Sequence, residues 1–546
     1  MKRFLALCLC VSVLLSGCGL VDLLPKDGLL GILLGLGGSE ELVAYEDMEY
    51  VRPDMEEHDR VLEECCEVAR TSKSIDEVTE AIYRYYDLYD WYYTCYWLAD
   101  IEYSRDFTSQ KWQEEYLYCS ENISRVDAGL ETLYTALAQS PIRDKLEGED
   151  YFGADYFDSY EGESVYDEEL MALLEEESRL IGVYYDLCAQ ADGVEYYSEE
   201  YFTQFSGDLC QTLIDLVLVR RDIAEHTGYD SYVSFAWDFY YYRDYTPDQA
   251  MDYMESIRQE MGPLYAQVSA TDVWGYGYGY CSESETFEYV KEAAQAMGGI
   301  VKEAFDAMDQ AGLYDISYSE TKFSTSFEVF LPYYYEPYVF VCPDRSEYDK
   351  LTFAHEFGHF AADYAAWGSY AGTDVQEVFS QAMEYLSLEY VSDTSHLEQY
   401  KLADCLSTYV EQSAYACFEQ KLYALPEEEL TVENVFALYE DTCRGFGIDF
   451  EVLGWDTRDL VTIPHFYTDP LYIISYVVSN DAAFQIYRLE REKSGAGLAV
   501  YTEHLATECY YFLEYMEEAG LENPFAPGRV EEAAQTLTEV LAGSAR

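Results

Sequence analysis

Residues 351–360 read Leu-Thr-Phe-Ala-His-Glu-Phe-Gly-His-Phe, which sets His355, Glu356 and His359 in the order H-E-x-x-H. Positions i and i+4 share one face of a helix, so both imidazoles can reach a single ion. Glu356 stands beside them, where it could take a proton from water bound to that ion. A catalytic zinc takes three ligands from protein and keeps a fourth position for water or substrate. His355 and His359 would be two. The run Gln376-Glu-Val-Phe-Ser-Gln-Ala-Met-Glu384 offers the third, with Glu377 as the candidate ligand. Glu384, two helical turns on along the same face, is the candidate acceptor for the outer N–H of a ligand imidazole. The spacing also allows another use of Glu377, as the N3 residue of a capping box with Asp374 as N-cap. H-E-x-x-H alone is a common pattern. The chain has only seven His and two fall here, which weighs against chance.

Peptide-bond hydrolysis would pass through a tetrahedral gem-diolate, whose charge needs a further hydrogen-bond donor. The segment Ile463-Pro-His-Phe-Tyr-Thr-Asp-Pro-Leu-Tyr-Ile-Ile-Ser-Tyr476 is rich in such groups: His465, Tyr467, Tyr472 and Tyr476. A lone His beside Tyr more often serves structure, so the residues alone leave His465 open.

The elements that must hold these groups are mostly helical. Apolar residues recur at three- and four-residue spacings over Glu56–Arg70, Ser74–Glu102, Gln110–Ala138, Glu168–Gln190 and Ser198–His226. Residues 147–168 break the pattern as a loop or short hairpin. Ser198 is a candidate N-cap, Gly228 a helix-ending residue, and Thr246-Pro247 opens another helix. Trp274-Gly-Tyr-Gly-Tyr-Gly-Tyr280 lacks the Lys and the strand–helix context of a phosphate loop and reads as a flexible aromatic loop. From Lys322 to Val341 the text turns β-branched and aromatic, punctuated by Pro332 and Pro337, which predicts a small sheet just before the motif helix. That helix is expected to be capped by Asp344 or Ser346, to run through His359 to about Trp367, and to stop at Gly368. The fold class is therefore mainly α with one small β-sheet. No internal repeat is evident.

With 546 residues, 49% of them hydrophobic, the chain can bury a large core. Its 106 acids against 32 bases give a net charge of −74, which repels phosphate backbones and excludes nucleic acid as a partner. It also disfavours adsorption to anionic lipid. The 15 Cys are scattered without C-x-x-C, so most are expected to be buried small hydrophobes. Most of the 58 Tyr are expected in core and rim packing. At the N-terminus a basic Met1-Lys-Arg precedes a short apolar run, and Leu15-Ser-Gly-Cys18 matches a bacterial lipobox. Residues 1–17 are then a signal peptide, Cys18 is lipidated, and residues 18–43 form a Gly/Leu-rich tether on the extracytoplasmic face of the cell membrane. Residues 44–250 read as an N-terminal helical region and 251–546 as the catalytic region.

Three separated blocks resemble one family. Thr325–Pro332 with Pro337–Val341 and Tyr348–His359, then Glu377–Glu384, then Ile463–Tyr467 with the Tyr residues after it look like the core of oligoendopeptidase F and thimet-type oligopeptidases. The likeness covers roughly residues 200–500 and includes Arg221–Phe235. It implies a two-lobed, neurolysin-like helical metallopeptidase with a deep central channel and one zinc ion per chain. It also implies His355, His359 and Glu377 as ligands, Glu356 as general base, and His465 and Tyr472 in the substrate- and transition-state-binding block, with Tyr476 a further candidate. The chain departs from the family's pattern in three places: a short link between His359 and Glu377, Ala362 where a third His often stands, and one extra residue between His465 and Tyr472. The reading that follows is a lipid-anchored zinc endopeptidase of short oligopeptides. Its alternatives are a catalytically decayed peptide-binding lipoprotein and an end-trimming peptidase of the same fold.

Overall fold

The structure, a computed structural model, describes residues 42–148, 151–160, 166–190, 198–368, 371–507 and 509–544. The expected signal peptide, Cys18 and nearly all of the expected tether lie outside the described residues. No described helix is long and apolar enough to cross a membrane. All twelve described Cys are free thiols, ten of them buried.

The longer helices, numbered in chain order, begin with α1 (Met55–Thr71), α2 (Ile75–Arg105), α3 (Gln110–Ala138), α4 (Glu168–Gln190) and α5 (Glu199–His226). Their starts follow the side chains available for capping. Asp54 accepts from Glu56 N and Glu57 N, and Ser74, Ser109 and Ser198 each accept from the N3 amide. Gly228, at φ +86°, closes α5 as expected, with Tyr229 N donating to Ala224 O at 2.8 Å. Helix α6 (Pro247–Glu260) opens on the Thr246/Gln249 capping box. It packs against the later helices α12 (Ser413–Ala424) and α15 (Arg529–Ser544). The boundary expected after residue 250 falls inside this helix.

Helices α7 (Glu283–Met297) and α8 (Gly299–Ala311) lead into a three-stranded sheet of β1 (Tyr314–Asp315), β2 (Ser326–Leu331) and β3 (Glu336–Val341), in the order β1-β3-β2. β3 runs parallel to β1 and antiparallel to β2. Pro337 does not break the sheet. It lies in β3 opposite Phe330, and β1 joins only from Val339, so its missing N–H costs no bond on the β1 side. The sheet packs on α9 (Asp349–Ala366), which carries the H-E-x-x-H residues. Neither Asp344 nor Ser346 caps α9. Instead the Asp349 carboxylate accepts from both of their amides, at 3.2 and 3.1 Å. The Trp274–Tyr280 run is not a flexible loop. Asp272–Tyr278 forms a 3₁₀ turn, and Glu347 N and Tyr348 N donate to Gly279 O and Gly277 O, tying it to the approach to α9. Trp367 (φ +56°) and Gly368 (φ +93°) end α9, both amides turning back to Asp363 O.

α9 packs extensively along α10 (Thr373–Tyr390), and α10 packs in turn along α14 (Ile474–Glu492). Between them come α11 (Ser395–Ser407), α12 and α13 (Val432–Gly445). These helices bring the sequence blocks together around α9.

Candidate metal centre

The contact between α9 and α10 is made at Gly358, inside the H-E-x-x-H motif. A Cβ there would stand 2.6 Å from Ser380 Cα and 2.7 Å from Phe379 O. The helices therefore touch backbone to backbone, and Glu377, one turn before Ser380, is carried to the His pair. This crossing lets the short link between His359 and Glu377 suffice. The capping box that competed for Glu377 does not form. The N-cap of α10 is Gly372, and Asp374 lies within the first turn, accepting from Tyr245 Oη at 2.8 Å and facing Arg243 at 3.5 Å.

Glu377 Oε2 lies 3.4 Å from His355 Nε2 and 3.9 Å from His359 Nε2. The three ligand atoms lie within 4.8 Å of one another, and all three residues are buried. Ligands at zinc–nitrogen and zinc–oxygen bond lengths around a tetrahedron stand roughly 3.3–3.5 Å apart, so this donor set fits one ion with little adjustment. His359 Nε2 is buried without a hydrogen bond, as a nitrogen kept for a metal would be. Burial, aided by neighbouring His355, lowers the His359 imidazole to about 4, so it is neutral at physiological pH and its lone pair is available. Burial alone would raise Glu377, but the neighbouring imidazoles of His355 and His359 and the Tyr472 hydroxyl bring it down to about 2.

His355 has its tautomer set from behind. Its Nδ1 is 2.8 Å from Glu384 Oε1, so the proton sits there and Nε2 faces the other ligand atoms. Glu384 Oε2 meets Lys401 Nζ at 2.7 Å, and Lys401 Nζ also reaches Asp404 at 2.9 Å. Burial works against the Glu384 charge, but Lys401 and His355 hold it below the usual carboxylate range. Sequence reasoning missed Lys401. Its signal is a lone base on the buried stripe Leu397–Lys401–Cys405 of α11.

The third block closes on the same place. Tyr472 Oη donates to Glu377 Oε1 at 2.5 Å, and Ser380 Oγ donates to Glu377 Oε2 at 2.9 Å. His465 Nε2 is 3.1 Å from Tyr476 Oη, and the His465 ring lies 5.3 Å from that of Tyr472. Burial lowers His465 to about 4. Tyr467 does not join them. Its ring stacks on Tyr184 at 4.1 Å and its hydroxyl donates to Leu209 O at 3.3 Å, so it is a packing residue rather than a substrate-binding one. His465 and Tyr467 are two apart on a helical turn and face opposite sides.

Long-range contacts hold this block. Arg220, fully buried on α5, donates to Phe466 O at 3.1 Å and Tyr467 O at 2.5 Å. Tyr241 Oη donates to Pro470 O, and Arg243 Nη2 to Ser475 Oγ. Leu471 adopts φ +67°, a left-handed conformation costly for a branched residue, and its amide donates to Glu419 Oε1 at 2.7 Å. That strained residue directly precedes Tyr472 and aims it. None of these partners was legible as such in the sequence.

Among known proteins, residues 45–164 match the Peptidase M3 N-terminal domain. No curated protein matches the chain. Solved structures do. One described as a putative oligoendopeptidase F aligns with TM-score 0.79 at 20% identity, over 92% of this chain and 99% of its own. PZ peptidase A, solved with an inhibitor, aligns with TM-score 0.80 at 19% identity, over 91% and 99%. A putative oligoendopeptidase F from Bacillus anthracis gives 0.75 at 19%, over 92% and 99%. The fold is thus that of the oligoendopeptidase F-type peptidases, helical with a small sheet beside the H-E-x-x-H helix.

Proposed function

We propose that the chain is a zinc metalloendopeptidase that cuts internal bonds of short oligopeptides. The observation that carries this reading is the convergence of His355, His359 and Glu377 within 4.8 Å of one another, with Glu356 on the same helix. A zinc ion held there would polarise the scissile carbonyl and make water nucleophilic near neutral pH. Glu356, fully buried and next to His355 on α9, takes the proton from the attacking water and delivers it to the leaving amine. Glu384 holds the proton on His355 Nδ1, and Tyr472 and Ser380 fix both oxygens of Glu377.

Neutral His465 carries one proton. With that proton on Nε2 it donates to Tyr476 Oη, and the phenol proton of Tyr476 turns towards the developing oxyanion. Tyr472, one of the candidate oxyanion donors of this block, here spends its proton on Glu377. The catalytic set is then Glu356, His465 and Tyr476, with Tyr472 positioning Glu377.

Two further parts of the reading rest on the sequence. The lipobox Leu15-Ser-Gly-Cys18 supports lipidation of Cys18 and a place on the outer face of the membrane. A Cys18→Ala protein should lose incorporation of a labelled fatty acid and leave the membrane fraction; unchanged labelling would refute the anchor. Internal cleavage is tested by mapping cut sites in quenched peptides blocked at both ends. Cuts at internal bonds are expected, whereas activity only on free termini would support the end-trimming reading.

A further inference from the structure

Outside the metal centre the chain holds a partly open cavity of about 330 Å³ between α3, α4, the end of α5 and the turn around Thr468 and Pro470. Its size suits one long side chain with part of a backbone. The walls are aromatic, including Tyr166, Tyr232, Tyr240 and Tyr241, and two carboxylates, Asp127 and Glu177, line it. Among the described residues no Lys, Arg or His lines it. Glu177 is already paired with Arg220 Nε at 2.6 Å, and that guanidinium is turned to the Phe466 and Tyr467 carbonyls.

Asp127 is different. It is only 2% exposed, and both hydroxyls that reach it, from Tyr89 at 3.1 Å and Tyr93 at 2.6 Å, go to the same oxygen, Oδ1. No described donor reaches Oδ2, although the residue lines the cavity. Burial pushes this carboxyl up to about 7. A buried carboxylate with one oxygen unserved, walled by electron-rich rings and with no cation of its own, is the complement of a cationic group on an apolar stem. The cavity also lies beside a residue that supports the metal centre. Pro470 lies two residues before Tyr472, and Tyr241, which lines the cavity, has its ring 6.3 Å from that of Tyr472.

We propose that this cavity takes the lysine or arginine side chain of a substrate peptide, at one fixed position relative to the cleaved bond, with Asp127 as its counter-ion. The proposal rests on the peptidase reading above and gives it a substrate class. It is tested with a quenched peptide of one scaffold in which each position in turn carries Lys, norleucine, Phe or Glu. At one position Lys should exceed norleucine in kcat/KM by at least about tenfold, with Glu slowest. Equal rates for Lys and norleucine at every position, or a preference for Phe, would overturn it while leaving the peptidase reading intact. If no peptide is cut, the peptidase reading fails by itself, and anisotropy of labelled Lys and norleucine peptides on the Glu356→Gln protein reads the same ratio. Asp127→Asn should bring the Lys-to-norleucine ratio close to one and Asp127→Glu should restore it. A residue of merely structural importance would lower both peptides alike.

Discussion

Tyr472 and Tyr476 are four residues apart, and the structure gives them different work. Tyr472 Oη is bonded to Glu377 at 2.5 Å, whereas Tyr476 Oη is bonded to His465 at 3.1 Å. Removing one hydroxyl should therefore loosen the metal, and removing the other should slow the chemistry. Tyr472→Phe is expected to weaken zinc binding by about 10- to 100-fold, as loss of an outer partner to a ligand does. Tyr476→Phe should leave zinc affinity unchanged and lower kcat by about 10²- to 10³-fold, the cost of one oxyanion donor. Competition with a zinc-responsive dye and steady-state kinetics separate the two. The opposite split would exchange the roles given to these residues.

Among the elements, the crossing of α9 and α10 decides whether a site exists. Gly358→Ala would put a methyl group within 2.7 Å of the Phe379 carbonyl oxygen and against Ser380 Cα, neither of which can swing away as a flexible side chain would. The helices would have to part, at a cost of about 1–3 kcal/mol. Glu377 would retreat from the His pair with them. Thermal unfolding and metal content should both fall; a variant with the parent's stability and zinc content would show that the close approach is dispensable. The sequence made this much legible because both helices carry short-range patterns: H-E-x-x-H within one turn, and Glu377 and Glu384 on one face two turns apart. The small sheet also showed in its β-branched run, although Pro337 proved to lie inside it. What stayed hidden depends on distance along the chain. Arg220 and the carbonyls of residues 466 and 467 are some 246 positions apart, and Lys401 stands 17 positions from Glu384 on a different helix. No local periodicity encodes such pairs. Tyr467 was misplaced for the converse reason: neighbours in sequence on a helical turn point apart.

The molecule as a whole has an acidic surplus, and part of it is buried. Burial pushes Asp90, Asp100, Asp127, Glu411 and Asp469 up to about 7 and Glu419 to about 8. These groups hold protons in the folded chain that the unfolded chain has released, so stability is lost as pH rises from about 4 to about 8. Burial lowers His359 and His465 to about 4, which works the other way, since they destabilise the fold as pH falls from about 6.5 to about 4. The carboxyls outnumber them, and acidification also relieves the self-repulsion of a chain with net charge −74. Metal-free protein should therefore melt at a higher temperature at pH 5.5 than at pH 8.5. The reverse order would mean that the buried carboxyls are ionised in the fold.

All of this turns on Glu356 acting as the base beside a metal held by His355, His359 and Glu377. The most direct measurement is made on the Glu356→Gln protein, with zinc counted per chain and turnover of a quenched oligopeptide measured on the same sample. One zinc per chain, as in the parent, with turnover reduced by about 10²- to 10⁴-fold is expected for the loss of a general base. Parent-like turnover, or a parent protein that holds no zinc after reconstitution, would contradict the catalytic role assigned to this site.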